Sequence, residues 1–174
     1  MDFRKHALLL GMIEALRRRG SRTGKTHLIK GMMLAAASNV FDVPFEFFLY
    51  KHGPYSTDIE ENLDEMQSYA AITVEPAFDG YGVILLPGQM ASYVRHRAPL
   101  SEVEERGIER VCGFLQSKNV NQLERLATAA WIRTKMRITD HHEAALRLNA
   151  LKPHVPLEEV RHADREVARF LCER

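Results

Sequence analysis

Tyr50-Lys51-His52-Gly53-Pro54-Tyr55-Ser56-Thr57-Asp58-Ile59-Glu60-Glu61-Asn62-Leu63-Asp64-Glu65-Met66 reads as an aromatic extended end, a Gly-Pro corner and a short capped helix. Gly53 can take a positive φ, and Pro54 biases the residue before it away from the right-handed helical region. Ser56 or Thr57 is the candidate N-cap, and Thr57-x-x-Glu60 fits the capping box. Ile59, Leu63, Met66 and Ala70 follow at helical spacing and form one buried stripe. The opposite face carries Asp58, Glu60, Glu61, Asp64 and Glu65 and no base. A hairpin after such a helix completes the order of a winged helix. In a DNA-binding winged helix this helix enters the major groove, and acidic charge opposes that task.

The flanking sequence extends this reading. Upstream, residues 3–19 form a helix with Ala7, Leu9, Leu10, Ile13 and Leu16 on its apolar face, and Arg17-Arg18-Arg19 suit the helix dipole in the last turn. Gly20 stops it, and Thr23 is the expected N-cap of a second helix reaching about Asn39. That helix is apolar nearly all round, the pattern of a buried centre. Residues 46–50 read as a short extended segment. Downstream, 71–75 and 82–86 read as two strands joined by a loop containing Asp79-Gly80-Tyr81, the candidate wing. Residues 89–100 form a short helical or irregular connector. Ser101 with Glu104 is a capping box opening a further helix. Residues 120–136 and 140–151 carry two more helices, the second capped by Asp140. Pro156 fits the first-turn position of a last helix. The expected fold is mainly α with a small β-hairpin. A winged-helix-like N-terminal region over 1–98 packs on a C-terminal helical bundle over 99–174, the two forming one unit.

The chain has 174 residues, 45% of them hydrophobic, which is ordinary for a globular protein. No uncharged apolar run approaches the roughly 18 residues that a spanning helix needs. The N-terminus lacks a signal-peptide layout, so a cytoplasmic protein without a membrane partner is expected. Cys112 and Cys172 lie far apart in helical patterns and read as reduced thiols. The net charge of +1 is unevenly spread. Residues 1–40 hold eight bases against two acids, and residues 41–80 hold Lys51 against nine acids. Such segregation steers a charged partner, or is self-complementary within the fold.

Several motifs invite chemistry and have plainer readings. Gly20-Ser21-Arg22-Thr23-Gly24-Lys25-Thr26 has one residue too few between its glycines for a phosphate loop, and follows a helix rather than a strand. Asp140-His141-His142-Glu143 does not place its histidines on one helix face, so no metal is expected. His52 reads as a structural hydrogen-bonding group at the corner. No nucleophile, base and orienting group are arranged together, so no catalytic residue and no cofactor is expected.

Lys25-Thr26-His27-Leu28-Ile29-Lys30, then Phe48-Leu49-Tyr50-Lys51-His52-Gly53-Pro54-Tyr55-Ser56, then Ile59-x-x-x-Leu63-Asp64 and a hairpin, together resemble the SocA-like antitoxin (Panacea) domain and its YwgA-like relatives. Leu123-Glu124-x-Leu126-Ala127-Thr128 and Leu151-Lys152-Pro153-His154 are similar to the YwgA-like group. The resemblance implies a small cytoplasmic prokaryotic protein with a mostly helical, winged-helix-like fold and no catalytic residues. It also implies a protein partner such as a toxin or defence effector. The long helical second half departs from the antitoxin domain.

The expected function is therefore a non-enzymatic protein-interaction module, antitoxin-like or regulatory. Its partner-binding surface is expected at Asp58, Glu61, Asp64, Glu65, His52 and Tyr55. The alternative is a nucleic-acid-binding regulator that uses Arg17, Arg18, Arg19, Arg22, Lys25, Arg95 and Arg97.

Overall fold

The computed structural model describes residues 1–78, 80 and 82–173. Asp79 and Tyr81 of the expected hairpin loop lie outside the described residues. Among the described residues the order is α1 (Phe3–Arg18), α2 (Lys25–Ser38), β1 (Phe48–Tyr50), β2 (Gly53–Tyr55), α3 (Thr57–Ser68), β3 (Ile72–Pro76) and β4 (Val83–Pro87). Then come α4 (Ala91–Arg97), α5 (Glu102–Leu115), α6 (Val120–Thr134), α7 (His141–Leu151) and α8 (Leu157–Cys172). The protein is mainly α with small β elements. Two separate antiparallel hairpins are present, β1–β2 and β3–β4, where the sequence suggested one hairpin and an extended segment. Tyr50 pairs with Gly53 and Phe48 with Tyr55, so the Gly-Pro corner is itself a strand.

α2 is the buried centre that its composition predicts. Residues 27–35 are all buried, and the helix touches α1, α5, α6 and β2. One contiguous apolar core includes Leu8, Leu9 and Leu10 of α1, Ile59 and Met66 of α3, Leu85 of β4, and Leu115, Leu123 and Phe170 of the later helices. Gly107 sits where a Cβ would lie 2.5 Å from the Phe41 ring, so this glycine lets the aromatic ring cover α5.

Local signals select most helix ends, and tertiary contacts shift some of them. Ser101 and Glu104 form the capping box, and Asp140 accepts from the Glu143 amide. Asn119 and Gln122 add a second capping box that opens α6. Thr23 is not the cap of α2; Gly24 holds that position without a side-chain bond. The Thr23 carbonyl instead accepts from Leu85 of β4 at 3.1 Å, tying the second hairpin to the start of α2. Ser56, not Thr57, caps α3, so Glu60 falls one position beyond the capping-box residue. Pro156 stands at the N-cap of α8 rather than in its first turn. Ala70 lies past the end of α3 at φ +61, while Ile59, Leu63 and Met66 are buried as expected. Among the described residues no helix is long and apolar enough to cross a membrane. Cys112 is buried and Cys172 exposed, and both are free.

Candidate functional site

Lys30 is the residue from which the site is built. It lies in the apolar wall of α2 and is 3% exposed. Its Nζ donates to the carbonyls of Pro54 at 2.6 Å and His52 at 3.1 Å. Burial pushes its ammonium down to about 8, against the attraction of Glu124, and nearby Lys152 lowers it further. A buried charge persists only where it is paired or hydrogen-bonded. Here the two carbonyls and Glu124 serve that purpose, and the bonds pin β2 to α2.

Gly53 seats the hairpin from the other side. It has φ +93, and a Cβ built on it would lie 2.4 Å from Thr128 Oγ1. Thr128 is buried in α6 and donates to the Glu124 carbonyl at 2.6 Å. The Glu124 carboxylate accepts from Lys152 Nζ at 3.3 Å, and His52 Nδ1 stands 3.5 Å from the same oxygen. The His52 side chain is 66% exposed, so the corner is held by Lys30 beneath it rather than by its own imidazole. Lys30, Gly53, Glu124, Thr128 and Lys152 come from three elements and the end of α7, yet meet at one locus. Sequence reasoning missed Lys30 and Glu124. The readable signal for Lys30 was a lone cation among Leu28, Ile29, Met32 and Met33.

The outer face of this hairpin is aromatic. Phe48 and Tyr50 are two residues apart on β1, and Tyr55 is the cross-strand neighbour of Phe48, so all three share one face. Ring centroids are 5.8 Å apart for Phe48–Tyr55, 6.0 Å for Tyr50–Tyr55 and 6.3 Å for Phe48–Tyr50. Phe48 is 42% and Tyr50 64% exposed. These rings border a cavity of about 450 Å³ whose other walls include Ile29, Lys30, Glu60 and Glu124. The Glu60 carboxylate beside the Tyr55 hydroxyl, together with burial, pushes the phenol up to about 12. Glu60 has no cationic partner among the described residues.

The α3 acids are not one open face. Asp58 accepts from Lys5 Nζ at 2.7 and 2.8 Å and from the Asn62 amide at 2.9 Å. Glu65 meets the terminal amine of Met1 at 3.2 Å. It also lies 3.1 Å from Nε2 of buried His6, out of line for a hydrogen bond. Burial holds the His6 imidazole below its usual value, against the pull of Glu65, so the Glu65–His6 contact is not a settled ion pair. Glu61 is exposed, and Asp64 is 72% exposed with Lys25 at 4.0 Å. Of the six expected docking residues, His52 and Tyr55 border the cavity, Glu61 and Asp64 are exposed on α3 outside its lining, and Asp58 and Glu65 face α1.

The basic residues are largely engaged within the fold. Arg18 and Arg19 both donate to Glu109, and Arg95 pairs with Glu14. Arg97 lies over the Phe3 ring, and Arg17 is exposed. Arg19 and Arg22 border a second hollow of about 550 Å³ with Lys118, which is paired to Glu166 at 2.5 Å. His141 is fixed by Asp164 at 2.6 Å, and Arg133 grips the same buried carboxylate at 2.7 and 2.8 Å. This is a structural clasp between α6, α7 and α8. Among the described residues no group of three or more His, Cys, Asp or Glu is placed to hold a metal ion. No protein-family model matches this chain, and no curated protein matches it either.

Proposed function

We propose that the protein is a non-enzymatic interaction module, antitoxin-like or regulatory, that docks a protein partner through the β1–β2 hairpin and the adjoining edge of α3. The observation that carries this reading is an aromatic trio, exposed Phe48 and Tyr50 with half-buried Tyr55, on a hairpin pinned from beneath by buried Lys30. Aromatic side chains are costly to leave in water and are enriched at protein interfaces. Pinning removes much of the ordering cost that binding would otherwise incur. The resemblance of the corner motif to SocA-like antitoxins points the same way, as does the winged-helix-like order of α3, β3 and β4. A cytoplasmic, prokaryotic setting belongs to the same reading.

The nucleic-acid alternative has less support. Arg18, Arg19, Lys25 and Arg95 each face a carboxylate of the same chain, so a phosphate backbone would have to displace those partners. The test is affinity capture from lysate of the native host, comparing the wild type with the Phe48→Ala/Tyr50→Ala double variant. At least one protein retained by the wild type is expected to be lost with the variant, while circular dichroism remains the same. Identical captured sets would overturn the docking surface.

A further inference from the structure

We propose that the corner formed by Phe48, Tyr50 and Tyr55 with the Glu60 carboxylate binds the guanidinium of an arginine side chain on a protein partner. The inference rests on the docking reading and names the chemistry of its central contact.

The three rings are inclined to one another by 68°, 70° and 48°. A cation over a ring face and within about 6 Å of its centroid is attracted by the ring quadrupole. Centroid separations of 5.8–6.3 Å keep the three rings clustered along the wall of one cavity. Tyr50 and Phe48 leave ring surface open to the occupant. Glu60 supplies the charge complement. It is half-buried in the same cavity wall as the rings and has no cation partner among the described residues. A carboxylate so placed favours a cationic occupant over an apolar one.

Arginine fits better than lysine. A guanidinium is planar, weakly hydrated and always charged; it stacks on an aromatic face while offering two parallel donors to one carboxylate. The cavity's own cation does not compete, because Lys30 is turned toward the carbonyls of His52 and Pro54 and balanced by Glu124. A phosphate-bearing partner is disfavoured by the same geometry, since the Glu60 and Glu124 carboxylates lie in the wall.

The probe is N-acetyl-arginine amide, titrated into the full chain and followed by amide NMR shifts, with N-acetyl-citrulline amide as the neutral analogue of the same shape. Saturable shifts are expected at residues 48–60, with citrulline binding about tenfold more weakly. Glu60→Gln and Tyr50→Ala should each weaken the arginine probe about five- to tenfold. Equal binding of the two probes, shifts confined to Glu61 and Asp64, or indifference to Glu60→Gln would each overturn the proposal. If the arginine probe fails while Phe48→Ala/Tyr50→Ala still loses a captured partner, only the guanidinium chemistry falls. If capture is also unchanged, the docking reading falls with it.

Discussion

The two hairpins have the same size class and opposite support. Two-stranded hairpins are marginal in water on their own, so each must borrow stability. β3–β4 does so through its base, where Ile72 and Leu85 enter the core and Leu85 donates to Thr23. Beyond β3, Phe78 is fully exposed. β1–β2 has only three residues per strand and is held by polar groups: the Lys30 bonds from α2 and the close seat of Gly53 on Thr128 of α6. A hairpin bonded through its turn to buried helix groups is held in one geometry. The second hairpin is seated mainly by apolar contact with α1, α2 and α3. On this difference rests our proposal that the docking surface lies at the shorter hairpin.

The strongest way to break the contrast is Gly53→Ala. The substitution forces a Cβ onto Thr128 Oγ1 and places an L residue at φ +93. A loss of about 2–5 kcal/mol is expected from strain and overpacking together, read from urea denaturation. A loss under about 0.5 kcal/mol, the range of neutral surface changes, would show that the hairpin does not need its seat on α6.

Lys30→Met tests the pin. It keeps the stem's bulk and leaves the carbonyls of His52 and Pro54 without their donor. A loss of about 1–3 kcal/mol is expected near neutral pH. The pH dependence has a definite sign. Burial lowers the folded-state value of Lys30 to about 8, so below that pH the ammonium is charged in both states and its burial cost is fully present. From about 8 up to the ordinary lysine value of 10.5, the unfolded chain holds a proton that the folded chain has released. Stability therefore rises with pH across that window. The advantage of the wild type over Lys30→Met should widen between pH 8 and 10. A constant difference would mean that Lys30 titrates as a solvated lysine.

Phe78→Ser is the smallest test. The ring touches solvent on all sides, so the denaturation midpoint should not move. A clear shift would mean that the far end of β3–β4 has support like that of the first hairpin.

Short-range patterns carried much of the fold. The apolar surround of α2, the Ile59/Leu63/Met66 stripe, the Ser101–Glu104 box and the Asp140 cap all depend on residues within a few positions of one another. The first hairpin escaped that logic because three-residue strands are too short to show alternation, and Gly53-Pro54 reads as a corner in isolation. The site was half legible. His52 and Tyr55 drew notice through the motif, but the acids of α3 looked like one exposed face. Asp58 and Glu65 in fact meet Lys5, His6 and the terminal amine of Met1, all from the first six residues. Charge segregation along the chain thus became charge pairing within the fold.

By itself the sequence determined the helical class, most helix boundaries and the buried character of α2, because periodicity and capping are local properties. Only the tertiary structure decided which charges are engaged and which remain available. It brings Lys30, Gly53, Glu124, Thr128 and Lys152 together from distant positions and leaves Glu60 beside three aromatic rings. The physical reason is that a buried charge takes its partners from whatever element packing brings alongside, and spacing along one helix carries no record of that neighbour.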